Sequence, residues 1–388
     1  MRSIALLCNE YPPSSHGGIG TFTQVLGRAL VRSGYRVRVA GSYPFKAQFP
    51  AFEDDQGVEV HRLREPEKDR GGVRARLQLY RLFAKWARKR EIDLIEVPDP
   101  QGYAAFWPKL PVPVIARVHG SGSYFGRELD RPRTTASSLL YLLEKQSIRR
   151  ADFWCSVSQY AAESTAELFG LGPAADISFV PVTVPDEIDF NRRDRGRVIF
   201  TGTLTFKKGI VSLMRAWPAV QSACPWAELH VYGKGDHAIQ CMLARELDSN
   251  CKSSVRFHGH TSRPELYNQL QVARVAVFPS YAEAFAFAPL EAMATGCPTV
   301  YSTRTSGPEA MDHEVHGLLA DPDRVPDLSR AIIRLLTDDD LARRLGHAGR
   351  QHVAENFSVE KVVAGIEYFY RSCLLRFHGT AAVRKAVA

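Results

Sequence analysis

The sequence predicts an α/β protein made of two Rossmann-like, doubly wound domains. Three observations carry that expectation. Short apolar runs alternate with segments of helical spacing, the pattern restarts near residue 197, and each half opens on a strand that ends in a glycine-bearing loop.

In the first half, Ser3–Cys8 is an apolar run ending at a Pro- and Gly-rich loop. Thr21–Ser33 then shows helical spacing, with Phe22, Val25, Leu26, Ala29 and Leu30 on one face and Gly34 closing the helix. Val37–Ala40 and Val58–Leu63 read as strands, followed by a helix from about Gly72 to Arg90. Leu94–Val97, Val114–Val118 and Phe153–Val157 are further buried strands, as a parallel sheet covered on both faces requires.

The second half repeats the pattern. Arg197–Thr201, Glu228–Tyr232, Val255–His258, Val275–Pro279 and Pro298–Tyr301 read as strands. Ile210–Gln221, Pro264–Gln271, Pro289–Thr295 and Val325–Thr337 read as helices. The Pro-rich, acidic stretch Val180–Asn191 is the expected linker, and a helix over about Val359–Leu375 is long enough to return to the first domain.

Bulk properties agree. A chain of 388 residues exceeds one ordinary core and fits two domains. No apolar stretch approaches the ~20 residues of a membrane helix. The start, MRSIALLCNEYPP, reads as a first strand and not as a secretory signal, which makes the cytoplasm the expected location. Seven scattered cysteines without a CxxC pair point to reduced thiols and to no zinc site.

Ligands of doubly wound sheets bind beyond the carboxyl ends of the strands, so the residues there are the candidates. Gly17-Gly18-Ile19-Gly20 opens the first helix, where free N–H groups face outward. It is a phosphate contact or an ordinary helix start. His119-Gly120 ends a strand, and His119 either reaches a ligand or caps its own loop. In Thr201–Gly209, TGTLTFKKG, Lys208 is placed to neutralise a phosphate or is simply solvated.

The most informative stretch is Pro279–Thr299, with seven residues between Glu283 and Glu291. A loop turning into a helix near Pro289 would point Glu283 into the ligand cleft and offer the Phe287 and Ala288 amides to a diphosphate. Glu291 would follow on the same face, where a carboxylate can accept both hydroxyls of a ribose. Two surface glutamates on an amphipathic helix are the plainer alternative, but Leu290, Ala292, Met293 and Ala294 are apolar company for a solvated charge.

This E-x7-E segment, SYAEAFAFAPLEAMATGCPTV, resembles the signature of the retaining GT-B glycosyltransferases of family 4. NEYPPSSHGGIGTF resembles that family's glycine loop, VHG its histidine segment, SVSQYAAESTAELFG its following helix and TGTLTFKKG its lysine loop. The matches stand in the family's order and span most of the chain. The resemblance implies a GT-B fold, two Rossmann-like domains facing across a cleft. Residues 1–182 would bind acceptor and 183–365 the nucleotide-sugar donor, with the helix over about 366–388 packing back on the first domain. It also implies catalytic roles for His119, Glu283 and Lys208. Gly17 and Gly18 would lie at the diphosphate, and His119 would contact the donor sugar. Lys208 would pair with the phosphates and Glu283 with sugar hydroxyls. The Phe287 and Ala288 amides would hold the β-phosphate, Glu291 the ribose, and His258 and Gly259 would lie near the base.

The departures are specific. Thr203 stands where the family commonly has an arginine, and Glu283-Ala284-Phe285-Ala286 replaces its E-G-F-G. Alanine resists the positive φ that glycine permits. The implied reaction is metal-independent hexosyl transfer with retention, without cofactor, from a UDP-sugar or, as second choice, a GDP-sugar. The acceptor hydroxyl belongs to a glycan, a lipid-linked or a small-molecule acceptor. A non-hydrolysing nucleotide-sugar epimerase and a catalytically weak donor-binding scaffold are the alternatives, separated by turnover with and without acceptor.

The net charge of +8 is concentrated: between Arg62 and Glu91 stand eleven Lys/Arg and four Asp/Glu. Arg74, Arg81, Lys85 and Arg88 share one helix face, opposite a stripe of Val73, Leu77, Tyr80, Ala84 and Ala87 widened by Leu79, Phe83 and Trp86. That Arg74–Arg90 helix is a solvated basic face, or it rests on the anionic inner face of the membrane. No aromatic-basic module accompanies the charge, so nucleic acid is not an expected partner.

Overall fold

The structure is a computed structural model that describes residues 2–14, 17–46, 48–65, 72–235, 237–247 and 251–387. It divides into two compact units, one running to Pro181 and resuming at Val359, the other Val182–Ser358.

In the first unit, β1 (Ser3–Leu7) is followed by α1 (Gly18–Arg32), β2 (Arg36–Tyr43), β3 (Phe52–Asp55), β4 (Val58–Arg64) and α2 (Val73–Arg88). Then come β5 (Leu94–Pro98), β6 (Val114–Val118), α3 (Gly122–Glu128), α4 (Thr135–Arg150), β7 (Phe153–Ser156) and α5 (Gln159–Phe169). The sheet order is β3-β4-β2-β1-β5-β6-β7, parallel except where β3 pairs with β4. β1, β5 and β6 are buried along their whole length; β1 is apolar after Ser3, while β5 and β6 each carry one buried charge, Glu96 and Arg117.

The second unit holds β8 (Asp194–Thr201), α6 (Ile210–Ala223), β9 (Glu228–Tyr232), α7 (His237–Arg245), β10 (Val255–Gly259) and α8 (Arg263–Val272). β11 (Ala273–Phe278), α9 (Phe287–Ala294), β12 (Thr299–Ser302), α10 (Gly307–Ala310), β13 (Leu318–Ala320), α11 (Val325–Thr337) and α12 (Asp339–Asn356) complete it. Its parallel sheet runs β10-β9-β8-β11-β12-β13 over a core that includes Trp217, Leu213 and Ile332.

The last helix, α13 (Val359–Val387), belongs to the first unit and packs against α1. It is tied there by polar contacts inside the core. Arg117 forks onto Glu96 with bonds of 2.9 and 2.8 Å, and the Tyr370 hydroxyl donates to Glu96 Oε2 at 2.6 Å.

Both sheets reverse direction of growth next to their first strand, between β1 and β5 and between β8 and β11. The loops that leave the carboxyl ends of those four strands carry Gly17–Gly20, Asp99, Lys208 and Glu283.

Candidate functional site

In the second unit, the β8 loop reaches the β11 loop because of one glycine. Gly209 has φ +68, and a Cβ on it would fall 1.7 Å from the Pro279 carbonyl oxygen. Only glycine permits both the left-handed backbone and that approach. The Tyr281 N–H donates to the Lys207 carbonyl at 2.8 Å, and the Phe206 and Tyr281 rings stack at 4.5 Å. So held, the Lys208 ammonium donates to Glu283 Oε1 at 2.6 Å. Glu283 is 7% exposed and its N–H donates to Thr305 Oγ1 at 3.1 Å.

The alanines of this loop fit without strain. Ala286 has φ −93 and ψ 136, and Ala284 is not among the residues with positive φ. No glycine is therefore required here. Ala286 leads directly into α9, whose N-terminus has no side-chain cap among the described residues and whose first turn holds no acid. The Phe287 and Ala288 amides lie at this positive end of the helix dipole.

Glu291, 6% exposed, lies 2.6 Å from Nη2 of Arg263, the first residue of α8. The Arg263 guanidinium also lies 5.8 Å from the Phe287 and Tyr267 rings. Each glutamate of the E-x7-E segment thus has a cation at its carboxylate. Arg263 is not legible as a site residue; its one signal is its place three residues after His258-Gly259-His260, at the start of a helix.

Thr203 is exposed on the lysine loop, where its carbonyl accepts the Thr205 N–H. His258 is exposed at the end of β10, its ring stacked on Tyr232 at 4.4 Å and parallel to His230 at 5.1 Å. Burial and the Arg197 charge hold His230 down at about 4, and burial and Arg197 also lower His258, so this stack is neutral. Gly259, at φ +73, accepts the Gly233 N–H on its carbonyl.

In the first unit the glycine loop has an unexpected partner. Glu10 Oε1 accepts the N–H groups of Gly17 at 3.1 Å and Gly20 at 2.8 Å, so a carboxylate of the chain itself caps α1. Among the described residues the Gly18 N–H makes no such bond. Ser15 and His16 of this loop lie outside the described residues.

His119 N–H donates to Asp99 Oδ1 at 2.7 Å, and the His119 ring meets Phe22 of α1 edge-on at 4.8 Å. Burial, then the Arg117 charge, holds His119 down at about 3. Asp99 is fully buried; desolvation, with the Glu144 carboxylate nearby, pushes its pKa well above the usual carboxylate range. His119 is therefore a neutral imidazole at physiological pH, and burial favours the protonated form of Asp99. Neither Glu10 nor Asp99 carries a sequence pattern of its own.

The basic helix α2 corrects one expectation. Arg74, Arg81, Lys85 and Arg88 are exposed as a face, but the buried stripe is Ala75, Leu79, Phe83, Ala84, Trp86 and Ala87. Val73 is 65% and Leu77 44% exposed, beside the basic residues. The large rings of Phe83 and Trp86 gain more from burial than the two aliphatics and rotate the helix accordingly. Residues 66–71 of the basic stretch lie outside the described residues.

Comparison with known proteins decides the family. A model of the glycosyl transferase 4-like domain matches residues 17–183, and one of glycosyl transferases group 1 matches residues 195–338. The chain belongs to the group 1, family 4 glycosyltransferases. Similar relatives of this glycosyltransferase include the glycogen synthase of Mycobacterium tuberculosis, 25% identical over 95% of this chain and 94% of that protein. The GDP-mannose-dependent alpha-(1-6)-phosphatidylinositol monomannoside mannosyltransferase of the same organism is 27% identical over 96% and 98%. Among solved structures, sucrose-phosphate synthase from Thermosynechococcus elongatus superposes with a TM-score of 0.78 at 20% identity, covering 97% of this chain and 100% of that one. Anabaena HepE in complex with UDP and glucose gives a TM-score of 0.71 at 17% identity, covering 96% and 100%. The fold is accordingly GT-B, with a parallel sheet in each unit.

Proposed function

We propose that this glycosyltransferase moves a hexose-type sugar from a nucleotide-diphosphate donor to an acceptor hydroxyl with retained anomeric configuration and without a metal ion. The observation that carries this reading is the arrangement within the second unit. A lysine and an uncapped helix N-terminus stand on either side of the Glu283 loop, and a second buried glutamate follows along the helix.

Departure of a nucleoside diphosphate requires fixed positive charge where negative charge develops. Lys208 has three N–H donors, so it can hold Glu283 and a phosphate oxygen together. The Phe287 and Ala288 amides are the second donor set. Glu283 accepts from sugar hydroxyls and Glu291 from the ribose. His258 and Gly259 lie at the base, with the neutral His258–Tyr232 stack as a surface for its face. Gly17 serves through its bond to Glu10, and Thr203 contributes less than an arginine would. The neutral His119 donates to or accepts from the sugar without adding charge. In the same-face mechanism a leaving phosphate oxygen takes the acceptor proton.

A UDP-sugar is the favoured donor and a GDP-sugar the second choice; the relatives named above include a GDP-mannose-dependent enzyme, and HepE is described with UDP. The acceptor is a glycan, a lipid-linked or a small-molecule hydroxyl. The exposed Val73 and Leu77 beside Arg74, Arg81, Lys85 and Arg88 support contact of α2 with an anionic membrane on its cytoplasmic face. The test is turnover of a donor panel with chelator present, followed by NMR assignment of the product anomer. Transfer with retention supports the reading; inversion, or dependence on a divalent ion, refutes it.

A further inference from the structure

The second unit has a cavity at the opposite end of its sheet from Lys208 and Glu283. It encloses about 160 Å³ and is lined by Phe190, Arg193, Arg195, Arg274, Asp339 and Arg343, with Pro298 and Ala342. Arg193 and Arg195 flank the start of β8, Arg274 lies at the start of β11, and Pro298 immediately precedes β12. These are the amino ends of parallel strands whose carboxyl ends carry the E-x7-E and lysine loops.

Four arginines and one aspartate line it, a formal surplus of three positive charges around one small cavity. Asp339 is already shared: Arg195 donates to its Oδ2 at 2.9 Å and Arg274 lies 2.7 Å from its Oδ1. Arg274 also donates to the Leu335 carbonyl at 2.7 Å and is buried. Arg193 makes no ion pair with a carboxylate among the described residues. Its terminal nitrogens donate to the carbonyls of Leu270, Gln271, Ala273 and Thr295, while its buried Nε has no hydrogen-bond partner. The guanidinium lies 5.4 Å over the Phe190 ring, which is itself stacked on His347 at 3.7 Å. Arg343 is exposed and makes no ion pair among the described residues.

Clustered guanidiniums repel, and a buried cation without a counter-ion costs free energy unless an anion compensates. Carbonyls fix the orientation of Arg193 and Arg274 but do not neutralise them. Planar, multi-donor guanidiniums around a small cavity match the oxygens of a phosphate group, and a dianion fits the charge surplus better than a carboxylate.

We propose that this cavity is a second anion site, separate from the donor site, that binds a phosphate group of a small molecule. The site stands independently of the donor reading, since no residue is shared with it. Free phosphate and a sugar phosphate present the same chemistry, and the experiment distinguishes them.

The experiment is a thermal-shift titration with inorganic phosphate, glucose 6-phosphate and, as neutral control, glucose, at ionic strength held constant with chloride. It is run on the full chain and on the Arg195→Ala, Arg343→Ala and Lys208→Ala variants. Arg195 and Arg343 are exposed, so their removal leaves the core intact. A saturable rise is expected with the phosphates and none with glucose. It persists in Lys208→Ala, and the apparent affinity weakens about tenfold in each arginine variant, as loss of one charge-assisted contact implies. Equal affinities for the two phosphates assign the site to free phosphate; tighter binding of the sugar phosphate assigns it to the ester. Absence of a saturable rise overturns the proposal. So does a rise that survives both arginine substitutions undiminished.

Discussion

The Lys208 ammonium and the Glu283 carboxylate form a 2.6 Å hydrogen-bonded ion pair between the loop after β8 and the loop after β11. The pair sits at the point where the strand order of the second sheet reverses. Lys208→Ala removes the cation from the leaving-group side and leaves Glu283 without it. It should lower kcat about 10²- to 10³-fold, the usual loss for one preorganised charge-stabilising donor. Steady-state kinetics with the assigned donor check this. A fall confined to KM would place Lys208 in ground-state binding alone.

Glu291 and Arg263 form the second pair, at 2.6 Å. Glu291→Ala should raise the donor KM more than it lowers kcat, since a ribose contact is made equally in ground and transition states. Arg263→Ala leaves a mostly buried carboxylate unpaired and should destabilise the protein. In a double-mutant cycle the two should couple by about 0.5–3 kcal/mol, as contacting residues do. A coupling near zero would dissolve the pair.

Much of this arrangement was legible in the sequence and some of it was not. The strands buried on both faces are readable because they are mostly apolar, with single charges such as Glu96 and Arg117 instead of a regular polar alternation, and α9 because Pro289 fits a first helical turn. β3, β13 and α4 were not foreseen; β13 has only three residues and α4 has little apolar asymmetry. The E-x7-E spacing marked both glutamates, but spacing along one segment cannot reveal cations contributed by others. Glu10 and Arg263 are therefore tertiary facts. Ala284 and Ala286 sit in ordinary backbone regions because the turn here needs no positive φ.

Glu10 caps α1 through the Gly17 and Gly20 amides. Glu10→Ala should destabilise the first unit by about 1 kcal/mol, the ordinary loss for a helix cap. Thermal melts check this, and an unchanged Tm would show that water replaces the carboxylate at no loss.

His119 and Asp99 oppose each other in pH dependence. The folded pKa of His119, about 3, lies below its unfolded value, so the unfolded chain binds the extra proton and stability falls as pH drops from the ordinary imidazole range toward 3. Asp99 is raised, so the folded state holds the extra proton and stability is lost as pH rises above the usual carboxylate range. Asp99→Asn, which keeps an acceptor for the His119 N–H, should raise Tm at pH 7 and lose that advantage near pH 4. His119→Gln should flatten the acid-side decline. Tm recorded from pH 4 to 8 for both variants tests the signs, and a reversed order for either contradicts the protonation states.

The central claim is that the Lys208–Glu283 pair, the α9 N-terminus and Glu291 hold a nucleotide-sugar donor. The most direct test is the Tm of the purified protein, with chelator present, against a panel of nucleotides and nucleotide sugars. A ligand that binds only the folded state must raise it. The account predicts a rise with one nucleotide sugar that is diminished in both Lys208→Ala and Glu291→Ala. A panel without any rise, or a rise untouched by both substitutions, would contradict it.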